Sequence, residues 1–397
     1  MSTVWTICVR ALFVAAGALL IGVNLAGPDW TAIAQTRDPA TREVPRFEVD
    51  PTWPTIPNGW VLGQVASAAA ADQDHVWVLH RPRVVRPDQR TGPPVMEFDA
   101  EGNYIQGWGG PSPDYDWPQS EHGIFVDYKG YVWVGGQGDE DQILKFTKDG
   151  KFLMQLGHGG HEKTNTDTEN FFKPADVFVY AKTNELFVAD GYGNKRIIVF
   201  DADTGAYKRM WGAFGNVPSD GPPEAAGASG QAVSGLTRIP AKEIEPSDPG
   251  PPQFSTVHGV KVSDDGYVYV ADRAGKRVQV FTLDGTFVDQ AFVDRWCEAP
   301  HCGNGQTVAS VAFSADPDQQ FLYVASRSPA RIWVYDRRTL QPLDSIGRPG
   351  VAPGEFYVLH HMTSDSKGNL YASEVQDGRR VQKFTFKGLS AVPLDRR

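Results

Sequence analysis

The chain has 397 residues, a net charge of −10 and an isoelectric point near 5.4. It carries no basic cluster, which argues against nucleic acid as a partner. Aromatic residues make up 11%, too many for a disordered chain, and 41 glycines with 29 prolines give the turn-rich composition of a fold built from short repeats.

The N-terminus reads as an export signal. Arg10 precedes an apolar run over residues 11–26, and Ala32-Ile33-Ala34 offers a small-x-small cleavage site before Gln35. The expected organisation is a signal peptide over 1–34, a linker over 35–45, a repeat domain over 46–388 and a tail over 389–397. The apolar run is long for a signal, so an uncleaved anchor is the alternative, and it is the one route to a membrane that the sequence offers. Export places the mature chain in a periplasmic or secreted setting. Cys8 falls in the signal. Cys297 and Cys302, five residues apart, then form a local disulfide most simply, with a metal pair as the rival reading.

One pattern recurs six times along the rest of the chain: an apolar strand, a polar turn, and a second strand ending in an apolar run. The copies lie at 65–80, 121–136, 173–190, 257–272, 308–326 and 359–374. A third strand follows each of the later copies, as in QILKFT, RIIVFD, RVQVFT, RIWVYD and RVQKFT, and most have a fourth, such as KFLMQLG. Four short alternating strands per copy predict an all-β, six-bladed β-propeller. The last copy lacks a fourth strand, and RFEVD (46–50) supplies it, closing the ring and removing its exposed edge. Residues 214–253, rich in Gly, Pro, Ser and Ala with no strand pattern, are expected to be a flexible insertion.

The residue at the start of each first strand alternates along the chain: Ala66, His122, Ala175, His258, Ala309, His360. First strands line the central channel of a propeller, and alternate blades of six stand about 120° apart. Three imidazoles then converge at one height, with small residues between them. That donor set suits a zinc ion with an open fourth position, the mark of a catalytic site. His360 rather than His361 keeps the spacing to Gly368 that His122 keeps to Gly130 and His258 to Gly266. Strand direction brings the second-strand ends to the same face. They carry Arg81, Tyr192, Arg273 and Arg327. Arginines there can grip a carboxylate with two prongs, and a tyrosine beside a cation can serve as a base. His80 stands next to Arg81, while His158 and His161 read as loop residues.

The copies resemble the NHL-repeat propellers. Within them, EHG (121–123), KPADV (173–177), ADGY (189–192), VHG (257–259), ADR (271–273) and LHH (359–361), with LGQV (62–65) and HR (80–81), resemble the peptidyl-α-hydroxyglycine α-amidating lyases in order. The resemblance implies zinc on His122, His258 and His360, Tyr192 as base, and Arg81 and Arg273 at the carboxylate of a small-molecule or peptide-derived substrate. It implies cleavage of an N–C(OH) bond to an amide and a glyoxylate-type product. It also implies a structural calcium held by an Asp after the third histidine and another in the first blade. Here those positions read His361, and Ala71 beside Asp72, so the calcium ligands do not carry over. Pro before each histidine is replaced by Glu121, Val257 and Leu359.

Two other function classes stay open: a hydrolase on the same histidine site, and a non-catalytic propeller binding a protein or glycan on its loop face. A calcium-dependent lactonase would need axial carboxylates and Asn, which the ring positions lack. The pattern sets no oligomeric state.

Overall fold

The computed structural model describes residues 41–138, 141–160, 163–220, 247–297 and 304–393. They form six four-stranded antiparallel sheets arranged as a six-bladed propeller. Blade 1 runs β2 (Gln64–Ala70), β3 (Val76–Arg81), β4 (Val95–Phe98) and β5 (Tyr104–Trp108) from the axis outward. Blade 2 contains β6 (Ser120–Val126), β7 (Val132–Gln137), β8 (Ile143–Phe146) and β9 (Phe152–Leu156). Blade 3 contains β10 (Pro174–Tyr180), β11 (Glu185–Asp190), β12 (Arg196–Asp201) and β13 (Tyr207–Trp211). Blade 4 is β14 (Val257–Val262), β15 (Tyr267–Asp272), β16 (Arg277–Thr282) and β17 (Phe287–Phe292). Blade 5 is β18 (Val308–Phe313), β19 (Phe321–Ser326), β20 (Arg331–Asp336) and β21 (Pro342–Ile346). Blade 6 combines β22 (Leu359–Ser364), β23 (Leu370–Glu374) and β24 (Arg380–Pro393) with the N-terminal β1 (Thr41–Asp50).

Burial falls from the axis to the rim, and the strand sequences follow it. β11 and β19 are buried at every position, so they read as unbroken apolar runs. The outermost β5, β9 and β21 are half-buried or exposed along their length. The core lies between blades rather than within them. One cluster joins Phe187, Ile197 and Trp211 of blade 3 to Val260, Val270 and Phe281 of blade 4, and another joins Trp77 and Val95 of blade 1 to Ile124 and Val134 of blade 2. Each blade therefore needs both neighbours, and the ring stands or falls as a unit.

Ring closure uses the N-terminal strand as expected but extends further. β1 pairs with β24 from Thr41↔Pro393 to Asp50↔Lys383. The two closing strands thus span Thr41–Asp50 and Arg380–Pro393, past the expected ends at 46 and 388. The cause is a bulge between Pro45 and Phe47, which lets the ladder continue past a proline that has no N–H to donate.

The 214–253 insertion is anchored at both ends. Arg277 donates to the carbonyls of Pro249, Pro251 and Gln253 at 3.1, 2.8 and 3.1 Å, and Phe214 packs on Phe287 at 5.1 Å between ring centroids. Its middle, 221–246, lies outside the described residues. So do the expected signal peptide over 1–34, His161, His301 and Cys302. Cys297 is buried. Among the described residues no helix is long and apolar enough to cross a membrane.

Candidate metal centre

Every first strand carries a β-bulge at its ring position. The register slips between Val65 and Ser67, Glu121 and Gly123, Pro174 and Asp176, Val257 and Gly259, and Val308 and Ser310. In blade 6 it slips between Leu359 and Met362, an interval holding both His360 and His361. A bulged residue is released from the ladder and can be re-aimed, which is what an axial site needs.

The six bulges act in pairs. His122 Nδ1 faces the Ala175 carbonyl at 2.7 Å, His258 Nδ1 faces Ala309 at 2.5 Å, and His360 Nδ1 faces Ala66 at 2.6 Å. Each histidine thus binds the alanine carbonyl of the next blade. A carbonyl only accepts, so each Nδ1 carries the proton and each Nε2 presents a lone pair. The ring centroids form a near-equilateral triangle with sides of 4.9, 4.7 and 4.7 Å. One ring nitrogen from each histidine lies within 4.8 Å of the other two. All three are buried. Burial first, then neighbouring cationic and imidazole groups, holds their pKa values well below the ordinary histidine value, so they stay neutral and available as ligands.

Tyr192 stands over two of these nitrogens. Its hydroxyl is 3.1 Å from His122 Nε2 and 3.0 Å from His258 Nε2, and it accepts a hydrogen bond from Arg273 Nη1 at 2.6 Å. One phenolic proton cannot serve both imidazoles, so at least one lone pair faces the tyrosine oxygen unmet. A cation at the centre of the triangle relieves that conflict. The residues therefore fit a tris-imidazole metal.

The loop that carries Tyr192 depends on Gly191. A Cβ there would lie 2.1 Å from the Val257 carbonyl oxygen, against the strand that bears His258. The Arg273 guanidinium stacks 4.6 Å above the Tyr192 ring. Arg81 donates through Nε to the Glu121 carbonyl at 2.8 Å and through Nη1 to Gln64 Oε1 at 2.7 Å, beside His122. Burial lowers its pKa, while Tyr192 and Glu121 oppose that shift. The structure thus gathers Arg81, Tyr192 and Arg273 around the three histidines.

Other histidines are structural. His80 is buried, accepts from the Gly63 N–H at 3.2 Å and faces the Pro93 carbonyl at 2.9 Å. Burial pushes its pKa down to about 4, so it is a neutral packing group that ties the segments entering β2 and β4 to β3. His158 is exposed, against Gln155. His361 is buried, with Nδ1 3.1 Å from the Ala66 carbonyl and Nε2 3.0 Å from the His258 carbonyl. Its ring fills the place where the resemblance would put a calcium carboxylate. Asp72 is exposed and pairs with Lys148. This arrangement does not fit calcium.

Glu121 gave no signal in the sequence beyond replacing a proline. Its carboxyl turns away from the axis to accept from the Trp117 indole at 2.8 Å, and its Oε2 is buried without a partner among the described residues. Burial raises its pKa.

Residues 254–281 match the NHL repeat family, so the chain carries NHL repeat sequence in blade 4. Human NHL repeat-containing protein 3 is 26% identical over 306 residues, covering 74% of this chain and 72% of that protein. A Caenorhabditis elegans protein described as a probable peptidyl-α-hydroxyglycine α-amidating lyase is 32% identical over 164 residues, covering 41% of this chain and 36% of that protein. Among solved structures, a streptogramin B lyase is 12% identical with a TM-score of 0.49, covering 86% of this chain and 98% of that chain.

Proposed function

We propose that this chain is a metal-dependent lyase, with zinc as the metal, that cleaves the N–C(OH) bond of a carbinolamide carrying a carboxylate. The observation that carries the reading is the convergence of three Nδ1-pinned imidazoles beneath a tyrosine hydroxyl that is itself hydrogen-bonded to Arg273. A binding module has no need of that constellation. His122, His258 and His360 would hold the metal, which supplies Lewis acidity toward the substrate hydroxyl oxygen.

The protein's own groups do the rest. Arg81 and Arg273 orient the substrate carboxylate. Tyr192 acts as the phenolate, which the Arg273 hydrogen bond stabilises, and becomes the neutral phenol as it takes the hydroxyl proton. As the O–H electron pair becomes the new C=O bond, the C–N bond breaks and its electrons go to nitrogen. Tyr192 returns the proton to that nitrogen. The products are an amide and a glyoxylate-type aldehyde, and no co-reactant is consumed.

A second reading, a non-catalytic propeller that binds a protein or glycan on its loop face, is supported by the broader coverage of the human NHL repeat-containing protein. Export, with cleavage before Gln35 and a Cys297–Cys302 disulfide, belongs to either reading.

The test is the purified chain, assayed for bound metal and for glyoxylate release from α-hydroxyhippurate. About one zinc per chain and glyoxylate formation are expected. Tyr192→Phe should keep the metal and lose about 10²–10⁴-fold in turnover, the worth of a positioned acid–base group. Metal-loaded protein that releases no glyoxylate would discard the lyase and leave the binding propeller.

A further inference from the structure

Arg327 has no task in holding one carboxylate. Arg81 and Arg273 already flank Tyr192, yet Arg327 directly follows the second strand of blade 5 on the same face, at the position equivalent to theirs. One residue ties it to Arg273: the Thr307 N–H donates to the Arg273 carbonyl at 3.1 Å, and the Thr307 carbonyl accepts from the Arg327 N–H at 2.7 Å. The Arg327 guanidinium makes no hydrogen bond or ion pair with any described residue. The charges that bear on it are Arg273, Tyr192 and Arg81, two of them of its own sign; burial and these neighbours take its pKa down to about 10, so it remains cationic at neutral pH.

The surroundings hold further unmet polar groups. Arg273 Nε, Thr307 Oγ1 and Gln306 Oε1 are all buried without a hydrogen-bond partner among the described residues. Arg273 is 2% exposed and Thr307 0%. The carboxylate acting on Arg81, Glu121, is committed to Trp117. The three imidazoles beneath are neutral. Three guanidiniums therefore share a mostly buried site, and among the described residues no carboxylate faces them. A folded protein keeps such a surplus where an anionic ligand answers it. One carboxylate answers one charge, and a second anionic group is needed for the rest.

We propose that Arg327, with Thr307 and Arg273, forms a second anion subsite, so that the natural substrate carries a second carboxylate besides the one beside the reacting carbon. This rests on the lyase reading for the word substrate, but the subsite is a binding property and can be measured without turnover.

The experiment is calorimetric titration of the purified chain with malonate, succinate and glutarate, against propionate. At least one dicarboxylate should bind about tenfold to a hundredfold more tightly than propionate, the worth of one charge-assisted hydrogen-bonding pair. Arg327→Gln should erase that preference while leaving propionate binding unchanged. Arg327→Lys keeps the charge without the fork and should retain part of it, which guards against a variant that simply misfolds. No preference in the wild type, or an undiminished preference in Arg327→Gln, overturns the proposal. A preference lost in Arg327→Gln, in protein that releases no glyoxylate from α-hydroxyhippurate, sustains the subsite and discards only the lyase. Glyoxylate release with no dicarboxylate preference does the reverse.

Discussion

Blades 2, 4 and 6 and blades 1, 3 and 5 use one backbone device for two purposes. All six place a bulge at the start of the first strand. In the even blades the bulge aims a side chain, and His122, His258 and His360 reach the axis. In the odd blades it leaves a carbonyl, and Ala175, Ala309 and Ala66 each accept the Nδ1 proton of the preceding histidine. An alanine at those positions is more than a gap. Its small side chain leaves the axis open, and its backbone fixes the tautomer of its neighbour. A repeat protein has thus divided ligand and orienting group between successive copies of one unit.

The division can be broken most sharply at an even blade. His258→Ala should reduce bound metal from about one ion per chain to none, because two imidazoles do not complete the site. Metal analysis of the purified variant reads the outcome, and retained stoichiometric metal would refute the ring.

Acid should act next, and also through the even blades. Burial holds the pKa values of His122, His258 and His360 below 6.5, so the folded metal-free protein binds fewer protons than the unfolded chain once the pH falls under that value. Stability is therefore full above about pH 6.5 and is lost on acidification. His80 adds to this between 6.5 and about 4. The thermal midpoint of metal-free protein followed from pH 7 to pH 4 should drop, and His258→Ala should flatten the slope. An equal slope in the variant would remove the ring from the account.

The smallest effect belongs to an odd blade. Ala309→Gly keeps the carbonyl that His258 uses. It should keep the metal and cost about 0.5–1 kcal/mol of stability through chain entropy, measured by denaturant titration. Loss of metal in this variant would show that the alanine side chain matters, and the two sets of blades would then differ in a way the carbonyl contacts do not explain.

The propeller was legible in the sequence because its evidence is local and repeated. Each copy shows its strands by alternation and its turns by Asp and Gly, and six copies in register leave little freedom. The alternation of Ala and His marked the axis for the same reason. The ends of the closing strand are not legible locally, since pairing beyond Pro45 depends on a partner more than 300 positions away.

Other features came only from packing across blades. The repeat sets His80 apart from the axial histidines, at the end of a second strand, but not its part as a neutral packing group. The turn of Glu121 toward Trp117, the contacts of His361 with the Ala66 and His258 carbonyls, and the Thr307 link between Arg273 and Arg327 all join residues from different strands or loops. Sequence periodicity determined which residues face the channel. Which atom of each residue is used, and which polar groups stay unpaired among the described residues, was decided by contacts between neighbouring blades, which a single repeat does not encode.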